Sequence, residues 1–306
     1  MKAFGADVTL DKRGLPVPPR TPPDGYPLLQ PTREKKTAIL DEGHVLVRAG
    51  LLPVGLEFPR RELRQVIVNY FLGTGAPVQE GALPTVTAAA GGGASGKSTV
   101  LDALRKSGLT TVEGAVTVNP DDIAELIPEF DRIVQAGDSG ASELVHQEAS
   151  QISGALMDAV LALPVGQRPH IIYDSTLSRR ESALRHFNRW HQAGFQVQLL
   201  GVTIDVHEAE TRAAVRAKKS GRWIPSNRLL EAHQGFNQPI KDYVSLVDRA
   251  HLYDTSTHEV KLVVSKESRD GQIEIANRDI WDIITKRGAT PLALSSGTFP
   301  NTSPLK

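Results

Sequence analysis

The 306-residue sequence contains no cysteine, which excludes disulfides, thiolate metal sites and cysteine nucleophiles. It also lacks an excess of either charge: 35 Lys and Arg face 35 Asp and Glu, a formal net charge of zero. A chain that captures nucleic acid through its phosphates usually carries a basic excess, so nucleic acid is not an expected partner. No apolar run approaches the roughly 18 residues of a membrane helix, and Met1 to Leu10 has no apolar stretch of the secretory type. No membrane partner is expected, and a cytoplasmic location is. The nine histidines show no spacing that suggests zinc, and no internal repeat is visible. What is present is a 40% hydrophobic composition, enough for a packed core in one α/β domain with an extension or in two modest domains.

From Gly14 to Pro31 seven prolines crowd together: Pro16, Pro18, Pro19, Pro22, Pro23, Pro27 and Pro31. They remove backbone donors and turn the preceding residues away from helix, so residues 1–31 read as an arm. Residues 32–84 read as a helical extension, with helices expected at Thr32 to Ala49 and Arg60 to Leu72, the second stopped by Gly73 and Gly75. From Thr85 short apolar runs alternate with amphipathic stretches, the pattern of βαβ units around a parallel sheet. Strands are expected at Thr85 to Ala90, Ala115 to Val118, His170 to Tyr173, Gln196 to Ile204, His251 to Tyr253, Lys261 to Ser265 and Gln272 to Ala276. Between and after them helices are expected at Lys97 to Lys106, Asp121 to Glu125, Ala141 to Leu161, Arg179 to Ala193, Val206 to Lys219, Ser226 to His233, Pro239 to Val247 and Arg278 to Lys286. A catalytic α/β domain over 85–286 and a fraying tail over 287–306 complete the expected layout.

The strongest chemical signal is Gly91-Gly92-Gly93-Ala94-Ser95-Gly96-Lys97-Ser98-Thr99, which satisfies the G-x-x-x-x-G-K-[ST] phosphate-loop pattern. Glycines let the backbone curl and turn successive N–H groups inward, so that phosphates sit in a nest at a helix N-terminus. Lys97 would reach the β- and γ-phosphate oxygens, Ser98 would complete a magnesium shell, and Thr99 would contact the α-phosphate. The expected ligands are ATP and Mg2+.

Two acidic points lie at strand ends, where parallel sheets collect ligands. The run His170-Ile171-Ile172-Tyr173 ends in Asp174, followed by Ser175 and Thr176; without a following Glu to orient water, motor-type ATPase chemistry is disfavoured, and Asp174 is a candidate for magnesium or substrate. Asn119-Pro120-Asp121-Asp122 follows the run ending at Val118. Asp121, and less so Asp122, is a candidate general base for an acceptor hydroxyl, set against helix capping as the plain structural role. A basic group, Arg212, Arg216, Lys218, Lys219 and Arg222, leads into Trp223-Ile224-Pro225. It reads as a kinase lid whose guanidiniums close over phosphates, or as a solvated helix face. Glu148 and Ser150 could line an acceptor pocket from the helix at Ala141 to Leu161.

Taken together the set resembles the zeta-toxin family of phosphate-loop kinases. The resemblance runs from about Pro84 to Ser256 and rests on Gly91 to Thr99, Val118 to Asp122, Pro128-Glu129-Phe130-Asp131, Val145-His146-Gln147-Glu148-Ala149-Ser150, Tyr173-Asp174-Ser175-Thr176, Gly221-Arg222-Trp223-Ile224-Pro225 and Leu252-Tyr253-Asp254. It implies a phosphate-loop α/β sandwich, a mainly parallel sheet with helices on both faces. It implies a toxin that uses ATP to phosphorylate the 3′-hydroxyl of UDP-N-acetylglucosamine and is restrained by a small helical antitoxin. Carried over by position, Asp121 is the base, Lys97 and Ser98 lie in the nucleotide site, and Arg216 and Arg222 belong to the lid; Glu148, Asp174 and Thr176 are the further candidates for contact with the acceptor. Where the best-known members have Glu-Gly-Thr after the third strand, this chain has Asp174-Ser175-Thr176, so another small hydroxyl compound, an antibiotic or a nucleoside, stands as the alternative acceptor. A nucleotide-dependent interaction module without turnover is the alternative in another class. The helical extension before Pro84 is expected either to pad the sheet edge or to inhibit the kinase in cis.

Overall fold

The computed structural model describes residues 2–3, 6–7, 9–12, 14–15, 17–18, 28–29, 31, 57–107, 113–138, 140–220, 224–257 and 259–289. The helix expected at Thr32 to Ala49 lies outside them, as do Arg222, Trp223 and residues 290–306. The strands are β1 (Lys2–Ala3), β2 (Ala6–Asp7), β3 (Thr85–Ala90), β4 (Val116–Val118), β5 (Ile171–Ser175), β6 (Gln196–Thr203), β7 (Arg249–Asp254), β8 (Lys261–Lys266) and β9 (Glu274–Ile275). The helices are α1 (Glu57–Leu72), α2 (Lys97–Lys106), α3 (Pro120–Ala124), α4 (Pro128–Gln135), α5 (Ala141–Leu161), α6 (Arg180–Gln192), α7 (Val206–Ser220), α8 (Ser226–Asn237), α9 (Ile240–Leu246) and α10 (Arg278–Ala289).

Seven strands form one mostly parallel sheet in the order β4-β5-β3-β6-β7-β8-β9. β4 with β5 and β6 with β7 run parallel, while β8 and β9 join antiparallel. The expected α/β class with a mainly parallel sheet is therefore the observed one. β6 is buried at every residue after Gln196, as a strand covered on both faces must be. Helix α4 is an addition to the sequence expectation: it is only eight residues long and opens on Pro128 at its first position, where the missing N–H is no loss. β9 spans two residues rather than five, and α10 continues to Ala289.

The chain divides into two compact units. The first comprises Met1–Thr87, Thr111–Asp174 and Ala193–Phe195; the second comprises Ala88–Thr110, Ser175–Gln192 and Gln196–Lys306. In the first, α5 turns Leu144, Val145, Ala149, Ile152, Leu156 and Val160 inward at three- and four-residue spacing. α1, α3 and α4 pack against it, and α1 also covers β4. The buried face of α1 carries Leu63, Ile67 and Phe71, but also Arg60 and Arg64. In the second, Phe187, Trp190, Phe236 and Tyr243 form a buried aromatic group, with Phe187 and Tyr243 edge to face at 5.5 Å. Among the described residues no helix is long and apolar enough to cross a membrane.

Candidate active site

The phosphate loop occupies the turn between β3 and α2, in the second unit. Three buried alanines, Ala88 to Ala90, bring the chain to Gly91, whose φ is +143°. A Cβ at that position would stand 2.1 Å from the Val202 carbonyl oxygen, so only glycine passes over β6 here. The loop then takes positive φ at Ala94 (58°) and at Gly96 (85°), which is the N-cap of α2. No side chain caps that helix, which leaves its first N–H groups for an anion. Lys97 Nζ reaches back to the Gly91 carbonyl at 2.9 Å and the Gly92 carbonyl at 3.3 Å. Ser98 and Thr99 are exposed in the first helical turn.

Several side chains of the same unit hold this loop. The Thr255 hydroxyl donates to Ser95 O at 2.7 Å, and the Thr255 N–H donates to Thr203 O at 3.0 Å. Arg212 donates through Nη2 to Thr255 O at 2.7 Å and through Nε to Glu208 at 2.9 Å. Arg212 is thus a brace behind the loop, while Arg216 sits half-buried one turn later in α7. Ala94 packs with Ile224 against Ile204, Ala209, Ala213 and Leu229, so the loop shares an apolar footing with the start of α8. His233 of α8 lies with Nε2 2.9 Å from Gly93 O.

Thr176 belongs to the loop after β5. Its hydroxyl and that of Ser178 are 3.0 Å apart. Between them Leu177 holds a φ of +45°, a conformation that costs a side-chain-bearing residue about 1–3 kcal/mol. The Tyr243 hydroxyl, from α9, donates to Leu177 O at 2.9 Å and helps impose that shape. Burial pushes the Tyr243 phenol well above its ordinary range, with Arg180 opposing and Glu181 and Asp242 reinforcing; the group therefore remains a donor.

In the first unit, β4 and β5 pair so that Val118 faces Tyr173. Asn119 directly follows β4 and Asp174 follows Tyr173 in β5, so both lie at the carboxyl end of these strands, where ligands gather. Asp174 is half-buried; Asp121 and Asp122 are exposed in the first turn of α3. Capping of α3 falls to Asn119, whose side-chain oxygen accepts from the Asp121 N–H at 2.9 Å. The side-chain cap is thus Asn119, while Asp121 keeps the first-turn position at which a carboxylate complements the helix dipole.

Glu148 departs from its expected place on an acceptor pocket. It has no exposed surface, and a carboxylate so enclosed presents no face to a ligand. Arg60 donates to Glu148 through Nε at 2.7 Å and through Nη2, and Arg64 donates to it at 3.3 Å. Glu129, equally buried, takes Arg60 Nη1 at 2.8 and 3.0 Å and the Leu29 N–H at 2.9 Å. Nothing in the sequence pattern of α1 marks its arginines as buried, so this cluster has no local signal. Thr255, directly after Leu252-Tyr253-Asp254, and His233, which has no metal-ligand spacing, carry no sequence signal of their place at the loop.

The family model for zeta toxins matches residues 72–267, more than half of the chain. The fold is similar to that in crystal structures of the AvrRxo1-ORF1:AvrRxo1-ORF2 complex. With sulphate ions, that chain is 19% identical with a TM-score of 0.62, the match covering 88% of this chain and 82% of the other. With ATP, the figures are 17%, 0.61, 88% and 82%. A structure from the PezAT chromosomal toxin-antitoxin system of the human pathogen Streptococcus pneumoniae is 13% identical with a TM-score of 0.51, covering 83% of this chain and 98% of that one. At these identities the likeness is one of fold. No protein with a curated description matches the sequence.

Proposed function

We propose that this chain, which belongs to the zeta toxin family, transfers the γ-phosphoryl group of ATP to a hydroxyl of a nucleotide sugar such as UDP-N-acetylglucosamine, as the toxin of a toxin-antitoxin system. The observation that carries the reading is the complete phosphate loop between β3 and α2, with Lys97 at the first helical position. Similar folds described with ATP and in a toxin-antitoxin system support it.

In this reading Lys97 leaves the carbonyls of Gly91 and Gly92 for the β/γ-phosphate oxygens, and the loop N–H groups hold the remaining charge. Ser98 and Asp174 bring a hydroxyl and a carboxylate, the hard oxygen donors that magnesium takes. Magnesium held there would neutralise charge on the phosphates. Asp121 accepts the proton of the acceptor hydroxyl as that oxygen bonds to the γ-phosphorus and the bridging bond to the β-phosphate breaks, releasing ADP. Arg216 and Arg222 meet the charge that develops, and Asp174 and Thr176 orient the acceptor. The kinase domain is taken as 85–286, the reaction as cytoplasmic, and a small helical antitoxin as the partner.

A second reading, transfer to another small hydroxyl compound such as an antibiotic or a nucleoside, is favoured by the enclosure of Glu148 between Arg60 and Arg64. Purified full-length chain, ATP and magnesium incubated with UDP-N-acetylglucosamine, nucleosides and aminoglycosides separate the two. A phosphorylated nucleotide sugar, lost in Asp121→Asn, supports the first. Phosphate on another acceptor supports the second. Transfer to none by the wild type overturns the kinase reading.

A further inference from the structure

His233 is 1% exposed and lies against the phosphate loop. Besides the 2.9 Å contact from Nε2 to Gly93 O, its ring covers Gly92 so closely that a Cβ there would stand 2.4 Å from Cγ, Nδ1 and Cε1. The phosphate-loop pattern demands glycine at positions 91 and 96 and leaves 92 open. Glycine at 92 is therefore required by the histidine ring. Two residues further along α8, a Cβ on Gly235 would stand 2.3 Å from Ser178 O, and the Ser178 hydroxyl pairs with that of Thr176. One helix of the second unit thus touches both the loop that curls around phosphates and the loop that carries Thr176.

We propose that His233 is a positioning residue for nucleotide binding: its Nε2–H donates to the Gly93 carbonyl and its ring sets the height of the Gly92 peptide. The inference rests on the nucleotide reading above. A carbonyl oxygen only accepts, so the 2.9 Å contact requires the hydrogen on Nε2. Gly93 O is held from one side and Gly92 is covered from the other, so the shape of the loop backbone is set before any phosphate arrives. A pre-formed cradle loses less freedom on binding, and affinity rises accordingly.

The test measures the dissociation constant of a non-hydrolysable ATP analogue with magnesium by calorimetry, on full-length protein, with thermal unfolding followed in parallel. His233→Phe keeps a ring over Gly92 and removes the donor; binding is expected to weaken about fivefold, the worth of one net hydrogen bond. His233→Gln restores a donor at similar reach and is expected to recover most of that loss. Gly92→Ala drives a methyl into the ring and is expected to weaken binding more than about tenfold. In Gly92→Ala/His233→Ala the space is returned, so the double variant binds more tightly than Gly92→Ala alone. This second route stands even where His233→Phe fails to fold. Wild-type affinity in a folded His233→Phe, or a double variant that binds no more tightly than Gly92→Ala alone, overturns the proposal while leaving the nucleotide reading intact. A wild-type protein that binds no analogue overturns both.

Discussion

Thr255 donates its hydroxyl hydrogen to the carbonyl of Ser95 across 160 positions of sequence, at 2.7 Å, and both residues are buried. The turn that presents Thr255 is itself closed by Asp254, whose carboxylate accepts from Ser256 N at 3.1 Å and Ser256 Oγ at 2.9 Å. The underside of the phosphate loop therefore hangs from the end of β7, one strand beyond β6. Thr255→Val keeps the volume and removes the donor, leaving the Ser95 carbonyl buried without it. A loss of about 1–3 kcal/mol in stability is expected, together with weaker nucleotide binding. Thr255→Ser keeps both near wild type, by chemical denaturation and calorimetry.

Lys97→Ala removes the charge proposed to meet the β/γ-phosphates. Phosphoryl transfer is expected to fall by orders of magnitude with the circular dichroism spectrum unchanged. Asp121→Asn behaves differently: the analogue still binds, while kcat drops by about 10²–10⁴, the usual contribution of a general base. Loss of nucleotide affinity in Asp121→Asn would remove Asp121 from the base role.

Arg60→Met strips the guanidinium from two carboxylates with no exposed surface, Glu129 and Glu148. Breaking a buried pair on one side costs about 3–5 kcal/mol, and urea denaturation of the full chain reads it directly. Arg60→Lys is expected to rescue little, since an ammonium cannot reproduce the forked contact to both acids. Residues 81–306 expressed alone lack Arg60 altogether and are expected to be insoluble or unstable. A soluble fragment more active than the full chain would instead establish inhibition in cis.

His170 accepts the Thr85 N–H at Nδ1, at 3.1 Å, and burial lowers its pKa below the ordinary 6.5. Above that value folded and unfolded chains are both neutral at this site and the contribution is flat. As pH falls below 6.5 the unfolded chain takes the proton first, so stability declines down to the folded pKa. His186 acts in the same direction, through burial and then Arg189 and Arg185. The midpoint of thermal unfolding is expected to fall between pH 7 and about 5, and His170→Asn, whose side-chain oxygen can still accept, makes that limb shallower.

The sequence made the second unit more legible than the first. β3, the phosphate loop and α2 were readable to the residue, because a strand of small apolar residues, a glycine run and an amphipathic helix are each local patterns. α5 was equally plain from its apolar spacing. Arg60 and Glu148 were not, since a charged residue at a core position looks like a surface residue until its partner, 88 positions away, is placed beside it. Gly92 reads in the sequence as one more loop glycine, while the neighbour that requires it, His233, lies 141 positions on. The strained φ at Leu177 had no glycine or asparagine to announce it. Long-range side-chain pairing carries no local period and so leaves no mark in the sequence.

The ion cluster also orders events during synthesis. Arg60 leaves the ribosome 88 residues ahead of Glu148, which at about 5–20 residues per second is a delay of roughly four to eighteen seconds. Before Glu129 emerges, 69 residues after Arg60, the phosphate loop, complete by Thr99, is already made, while the first described helix still carries guanidiniums with neither buried acid to receive them. A translation product that stops short of residue 129 therefore owns a nucleotide motif but cannot seat its own N-terminal helix. Only a ribosome that has passed α5 delivers a chain able to close that helix down.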